Sequence, residues 1–449
     1  MSVYRTFWKH FLLPVHDLLR NTRIQRCRRL LEETQWLSQK TIERLQLARL
    51  RRIVSHAYHT VPYYRAAFRE GGVRPEDIKD ISDLEKIPLL TKAILRSRND
   101  ELVSTSYHST GASREHTSGT TSKPVSFLRD NSDRSWGWAA ALRAYSWAGY
   151  ELGDKEALVW QRTFASNKST FLQPLYDEAR RTLLVDSGDV SAQNANNILG
   201  KLKRFRPHFI RGYSGALHRL AEYLLEAGQC LDVRGVIHTS SMIYEAQRKV
   251  IRQAFQCPVF SFYGAREVMA IASECEEHTG LHVSSENLVL EVLRDGEAAS
   301  PGEVGSLVIT NLTNYSMPLI RYEIGDLGRT GSSPCSCGRG LPVLESLEGR
   351  KFEHIVNSDG SHTVLRPLEA FFSEVPVKDF QVVVASPDLI TVRIVEGEAY
   401  SEVHDRIIKN NLKWRGKSEV EIQKVGKISP APSGKPLRFV SYTSSQNTT

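Results

Sequence analysis

Thr117-Ser118-Gly119-Thr120-Thr121-Ser122-Lys123-Pro124 packs five hydroxyls, one glycine and one lysine into eight residues. Such a loop presents backbone N–H groups, hydroxyl donors and a single cation to phosphate oxygens. Its spacing is not the G-x-x-x-x-G-K-[ST] of a Walker loop. Alone, a Ser/Thr/Gly stretch reads as solvent loop as readily as phosphate cradle. Its surroundings decide.

Upstream, the first hundred residues read as mostly helical. Ile24 to Ile53 lacks Pro and Gly and repeats Leu and Ile at three- and four-residue spacing, with Pro62 as the break. Gly71-Gly72, Pro75 and Pro88 mark turns. Ser104 to Thr121 is too rich in Ser, Thr and Gly for a regular element.

Downstream, strand and helix patterns alternate. Residues 157–160, 182–185, 235–239 and 259–263 read as strands; 192–205, 217–227 and 244–254 read as helices. That alternation argues for an α/β layered domain. Residues 288–293 and 306–310 read as antiparallel strands, a β subdomain. After Gly349 the pattern becomes strands 380–384, 390–395 and 420–425 around a helix 403–412, a small α+β domain. The expected division is 1–100, a basic helical region packed on the large domain; 101–350, the remainder of that domain; and 351–449, a mobile C-terminal lid.

The chain has 449 residues, 41% hydrophobic and 24% charged, which excludes collagenous, low-complexity and wholly disordered classes. No apolar run approaches the length of a membrane span. The apolar stretch Phe11–Val15 is too short for a signal peptide, so the expected location is cytoplasmic. Residues 1–52 hold 12 Lys/Arg against four acids, which accounts for the whole net charge of +8. Such a segment reads as a solvated helical face or as a contact with an anionic surface, a peripheral place at the inner membrane. No nucleic-acid module appears. Oligomeric state, monomer or homodimer, stays open.

Three further stretches follow the hydroxyl loop in order: Tyr263-Gly264-Ala265-Arg266-Glu267; Tyr322-Glu323-Ile324-Gly325-Asp326, with Gly349-Arg350 behind it; and Ser433-Gly434-Lys435. Together they resemble the phosphate-binding, Y-G-x-x-E, Y-x-x-G-D and G-K motifs of the adenylate-forming enzymes: acyl-CoA synthetases, adenylation domains and luciferases. Met317-Pro318-Leu319-Ile320-Arg321-Tyr322 and Cys335-Ser336-Cys337-Gly338-Arg339 resemble the phenylacetate–CoA ligase-like branch, which includes capsule- and exopolysaccharide-associated members. The resemblance spans about 60 to 440.

The resemblance implies ATP-dependent activation of a small carboxylic acid to an acyl-adenylate with pyrophosphate release, then transfer to coenzyme A. Thr117, Ser118, Gly119, Thr120, Thr121 and Lys123 would hold the β- and γ-phosphates, with Ser122 standing where the family often has glycine. Glu267 would hold Mg²⁺. Tyr263, Gly264, Ser240 and Ser241 would line the adenine and acyl pocket. Asp326, assisted by Arg350, would bind the ribose. Lys435 would meet charge growing on the α-phosphate and carboxylate. Thr121, Glu267 and Lys435 are the expected catalytic residues. Read without the resemblance, Glu267 is an acid at a helix N-terminus and Asp326 a turn residue beside Gly325.

Arg350-Lys351-Phe352 puts Phe where the family hinge usually has Asp or Lys. That departure keeps a CoA-independent amide or ester synthetase, or a carrier-protein loader, in view. A non-catalytic nucleotide-binding scaffold in polysaccharide biosynthesis is a third reading. The six cysteines are too few for a disulfide scaffold in this length. Cys275, Cys335 and Cys337 with His282 would satisfy tetrahedral Zn²⁺ in a closed structural site, His278 being the other candidate for the nitrogen ligand.

Overall fold

The computed structural model describes residues 3–106, 111–116, 125–161, 178–331, 333–350, 354–356, 362–364, 368, 371–372, 375–386, 389–413, 419–428 and 439–441. Numbered along the chain, its strands begin with a hairpin of β1 (Ser113–His116) and β2 (Ser126–Arg129). They continue as β3 (Glu156–Trp160), β4 (Thr182–Asp186), β5 (Phe209–Tyr213), β6 (Gly235–Thr239) and β7 (Val259–Tyr263). These five run parallel in the order β4-β3-β5-β6-β7.

The same sheet then changes hand of pairing. At β7 it turns antiparallel through β8 (Ala272–Glu274) and β9 (Leu281–Val283). It extends through β14 (Val343–Arg350), β13 (Tyr322–Thr330), β12 (Gly305–Asn311), β10 (Leu288–Arg294) and β11 (Glu297–Ala298), twelve strands in all.

Each half has its own core. In the parallel half Val159, Ile210, Val236 and Val259 meet Leu217, Leu220 and Leu224 of the helix Ser214–Glu226 and Ile251 of the helix Glu245–Phe255. The three- and four-residue spacing puts those leucines on one stripe. In the antiparallel half Leu50, Ile53, Val54 and Ala57 of the helix Gln39–Thr60 bury against Leu288, Leu307 and Ile309. Each such Val, Leu or Ile side chain contributes about 1.5–3 kcal/mol on burial.

The helix Asn131–Trp147 joins the halves. Asp130 caps it by accepting from Asp133 N at 2.8 Å. Ala139, Ala140, Ala141, Arg143, Ala144, Tyr145 and Trp147 are all buried, so no single apolar stripe exists for a sequence reading to find. Arg143 forms a bidentate pair with Glu286 at 2.6 and 3.1 Å, both side chains buried. Thr34 donates to the same carboxylate, so this pair ties the N-terminal helices to the sheet.

The C-terminal residues form a separate four-stranded sheet: β17 (Val377–Ser386), β18 (Leu389–Glu396), β19 (Glu419–Lys424) and β20 (Phe439–Ser441), in the order β19-β18-β17-β20. The hairpin β15 (His354–Val356) and β16 (His362–Val364) precedes it. Val382, Val392 and Ile394 pack with Ile408 and Leu412 of the helix Glu402–Lys413. The architecture is the mixed α/β fold with a small C-terminal α+β domain.

Several local expectations need correction. Ser104 to Thr121 contains β1, because its polar residues pair with β2 rather than bury a face. Ile24 to Thr60 is two helices, Ile24–Thr34 and Gln39–Thr60, with Ser38 accepting from Thr41 N at 3.4 Å where the second begins. Helix 217–227 starts earlier, at Ser214, whose hydroxyl donates to Ser241 O at 2.7 Å.

Candidate active site

The site forms where the parallel and antiparallel halves meet. Tyr263 ends β7, and its hydroxyl donates to Asp326 Oδ2 at 2.7 Å. Arg350 Nε lies 2.8 Å from Asp326 Oδ1. Asp326 and Arg350 are direct cross-strand partners in the β13–β14 ladder, so register alone delivers this pair. Asp326 therefore sits in a strand and not in a turn.

Glu267 lies in the connection after β7, with no helix following it, which removes the helix-terminus reading. It is buried, and Tyr322 donates to its Oε1 at 2.9 Å. Burial, then the adjacent carboxylates, push the phenols of Tyr263 and Tyr322 well above their usual range. Both hydroxyls stay protonated and act as donors that fix the rotamers of Asp326 and Glu267.

Gly264 takes part sterically. A Cβ there would stand 2.2 Å from Met269 O, so the turn that carries Glu267 closes only on glycine. Gly325 has φ +84°, a left-handed backbone, and a Cβ there would meet Lys92 Nζ at 3.3 Å.

Lys92 was not among the sequence candidates. Leu90 bridges Tyr322: Leu90 N donates to Arg321 O, and Glu323 N donates to Leu90 O, both at 2.9 Å. Two residues on, Lys92 enters the neighbourhood of Arg350, Glu267 and Asp326. Burial, then the Arg350 charge, lowers its pKa against the pull of the two carboxylates. Pro88 signalled only a turn; nothing local in 88–92 announces a contact 230 residues downstream.

Ser240 and Ser241 follow β6. His238 pairs with Ser261 in the β6–β7 register, which carries Ser240 level with Tyr263 at the carboxyl ends of the parallel strands, where open α/β sheets bind ligands. Ser240 has φ +80°, and Ser241 O is held by Ser214. Behind them His238 bridges Ser214 at 3.0 Å and Ser261 at 2.7 Å, and burial pushes it down to about 4.

Thr117, Ser118, Gly119, Thr120, Thr121 and Lys123 lie outside the described residues, as does Lys435. So do Lys351 and Phe352. The residues flanking the hydroxyl stretch are described: His116 and Ser126 pair across the hairpin, and Arg266 Nη1 donates to His116 O at 3.1 Å. The chain therefore enters the hydroxyl stretch beside the residue preceding Glu267.

A second cluster gathers in the antiparallel half. The donor atoms of Cys275, His282, Cys335 and Cys337 all lie within 4.8 Å of one another. Cys275 and Cys335 sulfurs are 3.7 Å apart, and Cys337 Sγ is 3.2 Å from His282 Nε2. Metal–sulfur bonds of about 2.3 Å in a tetrahedron place two sulfurs about 3.7 Å apart, so the donor set fits. His282 Nδ1 faces Leu341 O at 3.3 Å, the partner that would orient a ligating imidazole. His278 instead faces Glu274 at 3.4 Å. Cys257 is buried in the parallel half, apart from the cluster.

Among the described residues no helix is long and apolar enough to cross a membrane. No protein-family model matches the chain. The phenylacetate-coenzyme A ligase of Escherichia coli is 30% identical over 304 residues, covering 64% of this chain and 67% of its own. The Thermus thermophilus enzyme of the same name is 27% identical over 365 residues, covering 78% and 80%. Among solved structures, a 2-hydroxyisobutyryl-CoA ligase in complex with R3-HIB-AMP superposes over 91% of both chains with a TM-score of 0.71 at 18% identity, a likeness of fold. Sheet order, the paired motifs at the seam and these relatives agree: the chain belongs to the phenylacetate–CoA ligase branch of the adenylate-forming enzymes.

Proposed function

We propose that the chain is an AMP-forming acid–thiol ligase. It joins a small carboxylic acid to the α-phosphate of ATP, releases pyrophosphate, and passes the acyl group to coenzyme A. The observation that carries this reading is the seam itself. Tyr263–Asp326–Arg350 and Tyr322–Glu267 stand together at the carboxyl end of β7, beside the stem of the hydroxyl loop.

In this reading Asp326 accepts the ribose hydroxyls while Arg350 and Tyr263 hold its carboxylate in place. Gly264, Ser240 and Ser241 border the adenine and acyl pocket. Glu267, its rotamer fixed by Tyr322, offers hard oxygen to Mg²⁺. Thr117, Ser118, Gly119, Thr120, Thr121 and Lys123 grip the outer phosphates. Lys435 supplies an ammonium where charge grows, and Lys92 adds a second cation from the large domain. For domain organisation we favour 1–100 packed on a large domain that runs to 350, and 351–449 as a mobile lid. The separate core of the C-terminal sheet supports that division.

Zn²⁺ is the structural metal that Cys275, His282, Cys335 and Cys337 would hold. Cys275 is buried and its sulfur stands 3.7 Å from that of Cys335, a separation that a shared tetrahedral metal would bridge. The ligands come from β9, from the residue after β8 and from the connection between β13 and β14, so metal there would staple that connection to the two strands. For location we favour the cytoplasmic face of a membrane, on the charge of residues 1–52, with a polysaccharide-synthesis assembly there as the partner the branch resemblance suggests.

The test is acid-dependent ATP–pyrophosphate exchange over an acid library. Exchange should need Mg²⁺ and should vanish in Lys435→Ala while ATP binding survives. Exchange unchanged in that variant would sink the role of Lys435; no exchange with any acid would sink the ligase reading.

A further inference from the structure

The first described residues run as α-helix Val3–Phe7, π-helix Trp8–Leu12 and α-helix Leu13–Arg20. One row, Tyr4, Trp8, Leu12 and Leu13, packs with Trp138, Leu142 and Leu152 of the body. Another row is equally apolar and faces solvent. Val3, Phe7, Phe11, Val15, Leu18 and Leu19 are 86, 44, 56, 38, 82 and 78% exposed. Their spacing of three and four residues makes them one ridge, and the rings of Phe7 and Phe11 stack at 5.2 Å.

Elsewhere such exposure is nearly absent. Of the twelve exposed large hydrophobics among the described residues, ten lie between Val3 and Leu45; the others are Val403 and Ile407. An apolar surface concentrated in this way marks an interaction site.

Charge identifies the partner. Val3 to Leu30 contains seven Lys/Arg and one acid, Asp17. Arg5 is held by Asp154 at 2.6 Å and Arg28 by Glu32 at 2.7 Å. Asp17 accepts from Thr22, Ile24 and Gln25. The exposed cations Lys9, Arg20, Arg23, Arg26 and Arg29 therefore stand in a stretch with no exposed acid. A second copy of the chain would bring like charges together, and an uncharged apolar partner would leave the cations idle. An anionic phospholipid surface answers both features.

We propose that this ridge docks the protein on an anionic bilayer, its apolar row entering the headgroup–acyl boundary while the flanking cations meet lipid phosphates. The inference deepens the peripheral location favoured above and is independent of the ligase chemistry.

The test is co-sedimentation of the full-length chain with vesicles of phosphatidylcholine alone or with about a third phosphatidylglycerol. The wild type should bind the anionic vesicles and not the neutral ones, and high salt should weaken binding. Phe7→Ser with Phe11→Ser should reduce partitioning about tenfold. Both residues are exposed, so thermal unfolding and ATP–pyrophosphate exchange should be unchanged in the double variant. Failure to bind anionic vesicles overturns the proposal, as does binding that the double variant leaves intact. A concentration-dependent dimer in light scattering that the double variant abolishes would overturn it in favour of self-association. Exchange activity measured on the same samples reports separately on the ligase reading.

Discussion

The two clusters built on the antiparallel half differ in how complete they are. At the Cys275–His282–Cys335–Cys337 cluster four donors converge within 4.8 Å of one another, the number a closed tetrahedral site takes. At the seam, Asp326 and Glu267 are held from behind by Tyr263, Arg350 and Tyr322, and the chemistry expected there draws on groups from the hydroxyl loop and the C-terminal domain. A closed donor set can stabilise; a supported but incomplete set can act on something that arrives. Damage to the first should read out as lost stability, and damage to the second as lost chemistry.

The sharpest way to break that contrast is Glu267→Gln, whose amide oxygen still accepts from Tyr322. Exchange should fall about a thousandfold, on the order of 4 kcal/mol in the transition state, with the thermal midpoint little changed. An equal loss of stability would show that the seam is scaffold.

Cys337→Ser should do the reverse. Metal analysis of the purified protein should find one zinc per chain in the wild type and none in the variant. The variant should unfold more easily by about 2–5 kcal/mol, while exchange per folded molecule is retained. A metal-free wild type would remove the staple.

Lys92→Met sharpens the seam. Loss of one cation among several should cost about ten- to a hundredfold, mainly in the KM for ATP. An effect on kcat alone would assign Lys92 to the chemical step.

The last effect comes from behind the pocket and shows only as a slope against pH. Burial holds His238 at about 4, below its unfolded value of about 6.5. The unfolded chain thus binds the extra proton first as pH falls. The contribution of His238 is complete above pH ~6.5 and is lost on acidification toward pH ~4, on the order of 3 kcal/mol. Unfolding midpoints across that range should decline in the wild type and decline less in His238→Gln. Parallel slopes would refute the assignment.

Much was legible along the chain because it depends on short-range pattern. The strands at 235–239 and 259–263 and the helix at 192–205 coincide with their observed bounds, since hydrophobic spacing and flanking turns fix them. The helix Asn131–Trp147 was invisible because a helix buried on all sides carries no periodic contrast. Lys92 was invisible because its place beside Glu267 and Asp326 is set by the Leu90–Tyr322 bridge.

Sequence alone determined the residue types and their order: the hydroxyl loop, the two Tyr/acid motifs, the Gly-Lys near the end, the cysteines, and the basic segment at the start. Only the tertiary structure decided that Asp326 opposes Arg350 across a ladder, that Tyr322 serves Glu267, that His282 rather than His278 joins the three sulfurs, and that an apolar ridge stays uncovered. Composition and spacing act along the chain, whereas these relations depend on strand register and on the packing of segments hundreds of residues apart.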